Sequence, residues 1–231
     1  MAFFLRHLAL RGSLFLAVAV AAIAQPARPR ELEVHFTVFA PTFVSDLAYR
    51  IKTERAVKLV PLTFFPTARS PVYAYRGPAP LEIVDEKSGE VVALADVPPN
   101  ISEPLIILFP LTPAPTKGTR FRVYVHDDAK SKHGPGGLGV LNFSNLSLDG
   151  TVDRQAVQFG NGFYGPYNVG AVAKVMLRTR FRGRSLQTYA DSIHLGRDGR
   201  ALLLLLPPFY RGSLEVQTRI LLDEVTHPDS R

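Results

Sequence analysis

The residues from Tyr124 to Gly139, YVHDDAKSKHGPGGLG, bring two histidines, two aspartates, two lysines and four glycines into one short stretch. Imidazole nitrogens and carboxylate oxygens are metal ligands, so His126, Asp127, Asp128 and His133 could hold a metal ion. Glycine-rich loops can also hold phosphate groups through their backbone N–H groups. The spacing of the residues decides between these chemistries.

Neither pattern is complete in this stretch. The H-E-x-x-H and paired-cysteine spacings of zinc sites are absent, and no glutamate closes a calcium loop. GPGGLG has no lysine after its last glycine, and a predicted strand follows it, which excludes a P-loop. Polar residues mixed with glycine and proline are typical of a solvated connection between strands. We therefore predict a hinge or a long hairpin here, with no metal and no cofactor.

Signatures of other catalysts are also missing. The chain has no G-x-S-x-G elbow and no cysteine, and no pair of acidic residues stands apart from the turns. These absences favour a non-catalytic protein with no catalytic residues. A metal-dependent or hydrolytic enzyme stays open as an alternative.

The elements that must position any site are predicted to be β strands. Apolar and polar residues alternate over 32–39, 120–126 and 214–222, as expected for half-buried strands. In the second of these, Tyr124 and His126 fall on the predicted polar face. The continuous apolar runs 105–109 and 201–206 predict strands that are buried on both faces.

Turn residues separate these strands. An Asp-Gly pair at 198–199 and Arg182-Gly183 are hairpin signals, and the 19 prolines oppose long helices. We find no short repeat. The pattern predicts an all-β protein of antiparallel, immunoglobulin-like sandwich type, with two small units in tandem at 31–127 and 138–224. A single larger sandwich is the alternative.

The first 24 residues predict export from the cytoplasm. Arg6 and Arg11 precede a short apolar run that ends in Ala22-Ile23-Ala24, the pattern of a cleaved signal peptide. The run is too short for a membrane-spanning helix, and the later apolar run 201–210 is broken by two prolines. We therefore expect a periplasmic or extracellular protein without a transmembrane segment. The predicted signal peptide contains both arginines, so its cleavage would lower the net charge of the chain from +7 to about +5.

The strongest candidate binding feature is a row of basic residues, which we call the arginine stripe. On the strand VAKVMLRTRFRGR, alternation puts Val175, Leu177 and Phe181 on a core face. The stripe comprises the basic residues on the opposite side and at the adjoining turn: Lys174, Arg178, Arg180, Arg182 and Arg184. Such a stripe could grip anionic polysaccharide or lipid head groups, rather than nucleic acid in an exported protein. A solvated face that protects against edge-to-edge pairing is the alternative.

A second candidate is the segment 159–170, FGNGFYGPYNVG. We interpret it as a loop in which Phe163, Tyr164 and Tyr167 could form a recognition surface for a sugar or a protein. Alternatively, these rings close the open end of the sandwich. The absence of tryptophan weakens the sugar interpretation.

Three segments carry a resemblance to known proteins: VPLTFFPTARSPVYAYRGPAPLEIVDE, LIILFPLTP and FRVYVHDDAK. They resemble segments of exported β-sandwich proteins of unknown activity from environmental Gram-negative bacteria. The segment VLNFSNLSLDGTVD similarly resembles small exported sandwich domains. These resemblances imply a fold and an exported location but no activity. Size, leader and charge are also similar to those of periplasmic pilus chaperones. Their Ile-Pro-Pro turn is absent, and Leu206-Pro207-Pro208 lies too late in the chain to replace it.

These observations favour an exported, non-catalytic binding or structural module of the cell envelope. Its expected partner is an anionic glycan or a protein, contacted through the arginine stripe or through loops at one end of a sandwich. A periplasmic assembly chaperone is a further alternative. The sequence does not indicate an oligomeric state.

Overall fold

The computed structural model describes residues 30–53, 56–196, 198–210 and 212–223. Within these ranges the chain forms sixteen β strands and no helix, so the predicted all-β class is confirmed. The predicted signal peptide, residues 1–24, lies outside the described residues.

The first half of the chain forms two four-stranded sheets. Its strands are β1 (Glu31–Phe39), β2 (Leu47–Lys52), β3 (Val57–Pro61), β4 (Tyr73–Pro78), β5 (Leu81–Asp85), β6 (Val91–Ala95), β7 (Pro104–Pro110) and β8 (Phe121–Asp127). The first inner sheet has the order β4-β1-β7-β8, and the first outer sheet has the order β3-β2-β5-β6. All neighbours are antiparallel except β1 and β7, which are parallel.

The second half repeats this connectivity strand for strand. Its strands are β9 (Gly137–Asn142), β10 (Leu148–Val152), β11 (Gln155–Phe159), β12 (Gly162–Asn168), β13 (Val172–Phe181), β14 (Arg184–His194), β15 (Arg200–Leu206) and β16 (Gln217–Asp223). The second inner sheet is β12-β9-β15-β16, and the second outer sheet is β11-β10-β13-β14. Its one parallel pair, β9 with β15, corresponds to β1 with β7. The two halves are thus one topology used twice, a repeat that the residues themselves do not display.

Among the described residues, three apolar cores hold the four sheets together. The first contains Val34, Phe36 and Ile106, and the second contains Val140, Leu177 and Leu203. The third core is shared by the two inner sheets and consists of Phe39, Leu105, Ile107, Leu141, Leu202, Leu204 and Leu221. Full burial of each such side chain stabilises the fold by about 1.5–3 kcal/mol. The inner sheets are therefore covered on both faces.

This stacking explains the continuous apolar runs. Leu105–Leu108 and Ala201–Leu205 are fully buried, as the sequence predicts for strands with two covered faces. The arrangement is consistent with two sandwich units in tandem, whereas an immunoglobulin-like strand order is not confirmed. The boundaries 31–127 and 138–224 stay a prediction.

Corresponding strands of the two halves run in the same direction along the molecule. Odd-numbered strands all run toward one end of their half, and even-numbered strands all run back. At the start of β15, the Arg200 side chain contacts the Asp128 carbonyl oxygen near the start of β7. Toward the other end of the inner strands, Arg219 donates to the carbonyl oxygen of Pro41 after β1. Every connection from an odd to the next even strand therefore begins at one end of the molecule, which we call the loop end. The connection from β3 to β4 then returns along the inner sheets, so that Arg69 reaches Asp128.

Candidate functional site

The arginine stripe lies on the solvent face of the second outer sheet. Along β13 burial alternates, so Ala173, Val175 and Leu177 enter the second core while Lys174, Arg178 and Arg180 are exposed. The predicted face of these three cations is confirmed. The prediction that Phe181 belongs to the core is wrong.

Phe181 is exposed because β13 extends past the core at the hairpin tip. The Arg182 guanidinium lies 5.2 Å from the centre of the Phe181 ring, a cation–π contact. Arg182 and Gly183 both have positive φ, 49° and 78°, as a two-residue type I′ turn requires. Arg184 pairs with Phe181 across the turn, so the basic residues continue over the tip.

Short side chains flank the stripe on the neighbouring strand. In the β13–β14 register, Lys174 lies opposite Ser192 and Arg180 lies opposite Ser185. On the other side, Asp149 of β10 lies opposite Arg178, yet no ion pair joins them. Within the described ranges none of the five stripe residues forms an ion pair. Residues two apart on a strand are separated by about 6.6 Å, so the planar guanidinium groups of Arg178 and Arg180 are neighbours on this face.

Gly150 lets β10 approach the stripe strand closely. A Cβ atom at Gly150 would lie 1.9 Å from the Met176 carbonyl oxygen. We expect Gly150→Ala to lower the free energy of unfolding by at least about 2 kcal/mol, because backbone atoms would have to move. Chemical denaturation measures this loss.

Gly134→Ala is the matched control, because its Cβ would meet only the Lys130 carbonyl oxygen at 3.7 Å, an ordinary contact. Its free energy of unfolding should stay within about 0.5 kcal/mol of the parent protein. Equal effects of the two substitutions would contradict the close approach of β10 and β13.

The aromatic segment is not a loop. Residues 162–168 form strand β12, which pairs with β9, so the loop prediction is wrong. Phe163 packs against the third core, and Tyr164 and Tyr167 pack against the second. The rings of Phe159 and Tyr164 are 4.9 Å apart, and the Tyr164 hydroxyl accepts a hydrogen bond from the Gly160 N–H at 2.8 Å. These rings are partly buried at a sheet edge, and a ligand-binding role for them stays a prediction.

The segment 124–139 is solvated only in part. Lys130 and Lys132 are exposed, whereas His126, Asp128 and His133 are buried, so the prediction of a solvated connection is wrong for these three residues. The face of β8 that carries Tyr124 and His126 is covered by the second inner sheet, where Phe143 and Phe163 contact these two rings. This stretch therefore lies in the joint between the halves.

Asp128 is the centre of an ion network in this joint. Arg69 donates from Nε to Asp128 Oδ2 at 2.6 Å and from Nη2 to Oδ1 at 3.0 Å, a forked pair. Arg200 donates from Nη2 to Asp128 Oδ2 at 3.3 Å and from Nε to Asp223 Oδ2 at 2.9 Å. Burial alone would raise the pKa of Asp223, but Arg200 holds it below its ordinary value. No local sequence signal identifies Arg69, Arg200 or Asp223 as members of this network.

Burial favours the neutral form of both histidines of the stretch. Burial lowers the pKa of His126 to about 4, and its ring centre lies 4.5 Å from that of Phe163. Burial also lowers the pKa of His133, whose Nε2 lies 3.1 Å from the Gly137 carbonyl oxygen. Among the described residues, His126 Nε2 and His133 Nδ1 have no hydrogen-bond partner.

A cleft of about 300 Å³ opens beside this network. Its charged lining consists of three basic and three acidic residues, Arg69, Lys130, Arg200, Glu103, Asp128 and Asp223. In the part of the chain that the structure describes, no three His, Asp or Glu side chains converge to hold a metal ion. The three positive and three negative charges of this lining balance one another.

No protein-family model and no curated protein matches this chain. In the described ranges, no helix has the length and apolar character needed to span a bilayer.

Proposed function

We propose that the protein is an exported, non-catalytic binding module of the cell envelope that holds an anionic glycan on the arginine stripe. One observation carries this proposal: Lys174, Arg178 and Arg180 stand exposed on one sheet face, without ion pairs in the described chain. The exposed tip residues Arg182 and Arg184 extend the same row.

The chemistry of the stripe suits an extended polyanion. A guanidinium offers several N–H donors in a planar fork that fits carboxylate and sulfate groups. Small molecules usually bind in enclosed, mostly apolar pockets, whereas the stripe lies on an open sheet face. A chain with repeated acidic groups could bind the neighbouring arginines simultaneously.

Edge protection explains the stripe less well. Charges that guard against sheet extension belong on an edge strand. In the second outer sheet the edge strand on this side is β14, and β13 lies inside it. On β14, the residues opposite the stripe cations include Ser185, Gln187 and Ser192. Most of the positive charge is thus one strand away from the edge that it would protect.

Combined replacement Arg178→Gln, Arg180→Gln and Arg182→Gln tests the proposal. The affinity of the purified protein for an immobilised uronic-acid or sulfated polysaccharide should fall roughly tenfold or more, because three charge-assisted contacts are lost. The variant should therefore be retained less strongly on such a column. The elution salt concentration and the binding isotherm measure this change.

A charge-matched control separates the stripe from the net charge. Lys58, Arg76 and Arg154 are exposed elsewhere on the molecule, and their combined change to Gln removes the same charge. This control should keep most of the retention. An equal loss in both triple variants, or unchanged retention of the stripe variant, would refute the stripe as the glycan site.

A further inference from the structure

The exposed aromatic rings gather at one end of the molecule. Among the described residues, five aromatic side chains are exposed: Phe43, Phe65, Phe181, Phe209 and Tyr210. Phe43 follows β1, Phe65 follows β3, Phe181 ends β13, and the last two follow β15. All five positions follow or end an odd-numbered strand, so all five rings lie at the loop end. The described connections at the opposite end carry no exposed aromatic ring.

The described part of the chain does not cover the most exposed of these rings. Phe43 is 93% exposed, Phe209 is 74% exposed and Tyr210 is 72% exposed. Phe209 and Tyr210 contact each other edge to face, with ring centres 5.0 Å apart, and belong to none of the three cores. Exposed large apolar groups that gather on one surface indicate an interaction site.

Basic side chains accompany the rings. Arg182 and Arg184 at the hairpin tip and Lys117 in the β7–β8 connection are exposed at the same end, and none forms an ion pair within the described ranges. Asp46 at this end is already paired with Lys87 at 3.1 Å. Glu86, Glu90 and Glu215 also lie at this end, so the loop end as a whole is not strongly basic. Within the described ranges, the unpaired positive charge that faces a partner is mainly that of Arg182 and Arg184 at the hairpin tip.

Aromatic rings next to basic groups match the surface of an anionic bilayer. Aromatic side chains favour the depth of the lipid head groups, while arginine and lysine are attracted to anionic lipids. The rings stand on separate loops from both halves, above four sheets that span about 30 Å at the usual spacing between layers. A fluid surface accepts such separated rings, whereas a protein partner would need a pocket for each of them.

We propose that the loop end docks on an anionic lipid bilayer, with Phe43, Phe209 and Tyr210 entering the head-group region. Arg182 and Arg184 then lie beside lipid phosphates. The membrane surface shares Arg182 and Arg184 with the arginine stripe, whereas Lys174, Arg178 and Arg180 lie on the sheet face beyond it. A protein docked by the three rings therefore keeps these sheet-face cations for a glycan.

Sedimentation of the full chain with lipid vesicles tests the docking. One vesicle contains phosphatidylcholine alone, and the other contains about three parts phosphatidylcholine to one part phosphatidylglycerol. The parent protein should bind the anionic vesicle more strongly. The combined change Phe43→Ser, Phe209→Ser and Tyr210→Ser should lower that affinity at least about tenfold.

The control replaces three exposed apolar residues away from the loop end, Val57→Ser, Leu94→Ser and Val172→Ser. This variant should bind vesicles like the parent protein. Absence of vesicle binding by the parent, or equal losses in both triple variants, would overturn the proposal. Retention on acidic polysaccharide is measured in parallel and should be unchanged in the aromatic variant. If that variant loses polysaccharide retention and the parent binds no vesicle, the loop end is a glycan surface instead.

Discussion

Replacement of Asp128 by alanine is expected to lower the free energy of unfolding by about 3–5 kcal/mol. The carboxylate is buried between Arg69 and Arg200, with the shortest N–O distances of 2.6 Å and 3.3 Å. Its removal leaves two buried guanidinium groups with one fewer counter-charge in a low-dielectric joint. Urea unfolding followed by circular dichroism measures the change.

The adjacent Asp127 provides the control. Its carboxylate pairs with Lys132, whose side chain is 59% exposed, so this pair is largely screened by solvent. Asp127→Ala should therefore cost about 1 kcal/mol or less. If the two variants unfold at the same urea concentration, the Asp128 network does not stabilise the joint.

His126→Phe is expected to reduce the sensitivity of the fold to acid. The His126 pKa is about 4 in the folded protein, against an ordinary value of 6.5, chiefly because of burial. Asp128 and Asp127 raise this pKa, whereas His133 and Arg69 lower it further. The unfolded chain thus binds a proton between these values while the folded chain does not, so stability is present above about pH 6.5 and falls as the pH drops toward 4.

The size of the effect follows from the difference in pKa. His126 alone should account for a loss of about 3 kcal/mol between the two pH values. Phenylalanine can pack on Phe163 in the same place, and His126 Nε2 has no partner among the described residues that would be lost. The variant should therefore match or exceed the parent at low pH.

Urea midpoints of the two proteins at a series of pH values check this prediction. The difference between them should grow in favour of the variant as the pH falls from about 7.5 to 4.5. A difference that stays constant over this range would show that His126 does not become protonated on unfolding.

The sequence predicts local features of the fold well. Alternation places Lys174, Arg178 and Arg180 on one exposed face, and the predicted apolar runs are buried over 105–108 and 201–206. These features depend on the period of two along a strand and on local turn chemistry. Each can be read within about ten residues.

The same local patterns mislead where a second surface covers the strand. His126 and Asp128 are polar, so the sequence places them in solvent, whereas the structure buries them. Asp128 is bound by Arg69 and Arg200, which are 59 and 72 residues away in the chain, and His126 is covered by Phe163 of the second half. Such distant pairs leave no periodic signal.

By itself, the sequence determined most of the strands, the buried apolar runs and the exposed row of arginines, because side-chain direction along a strand is a local property. Only the tertiary structure decided that two identical topologies stack through Leu105, Ile107, Leu202 and Leu204. It also brought Phe43, Phe209 and Tyr210 to one end. An apolar face specifies that it must be covered but not what covers it, since hydrophobic burial has no direction.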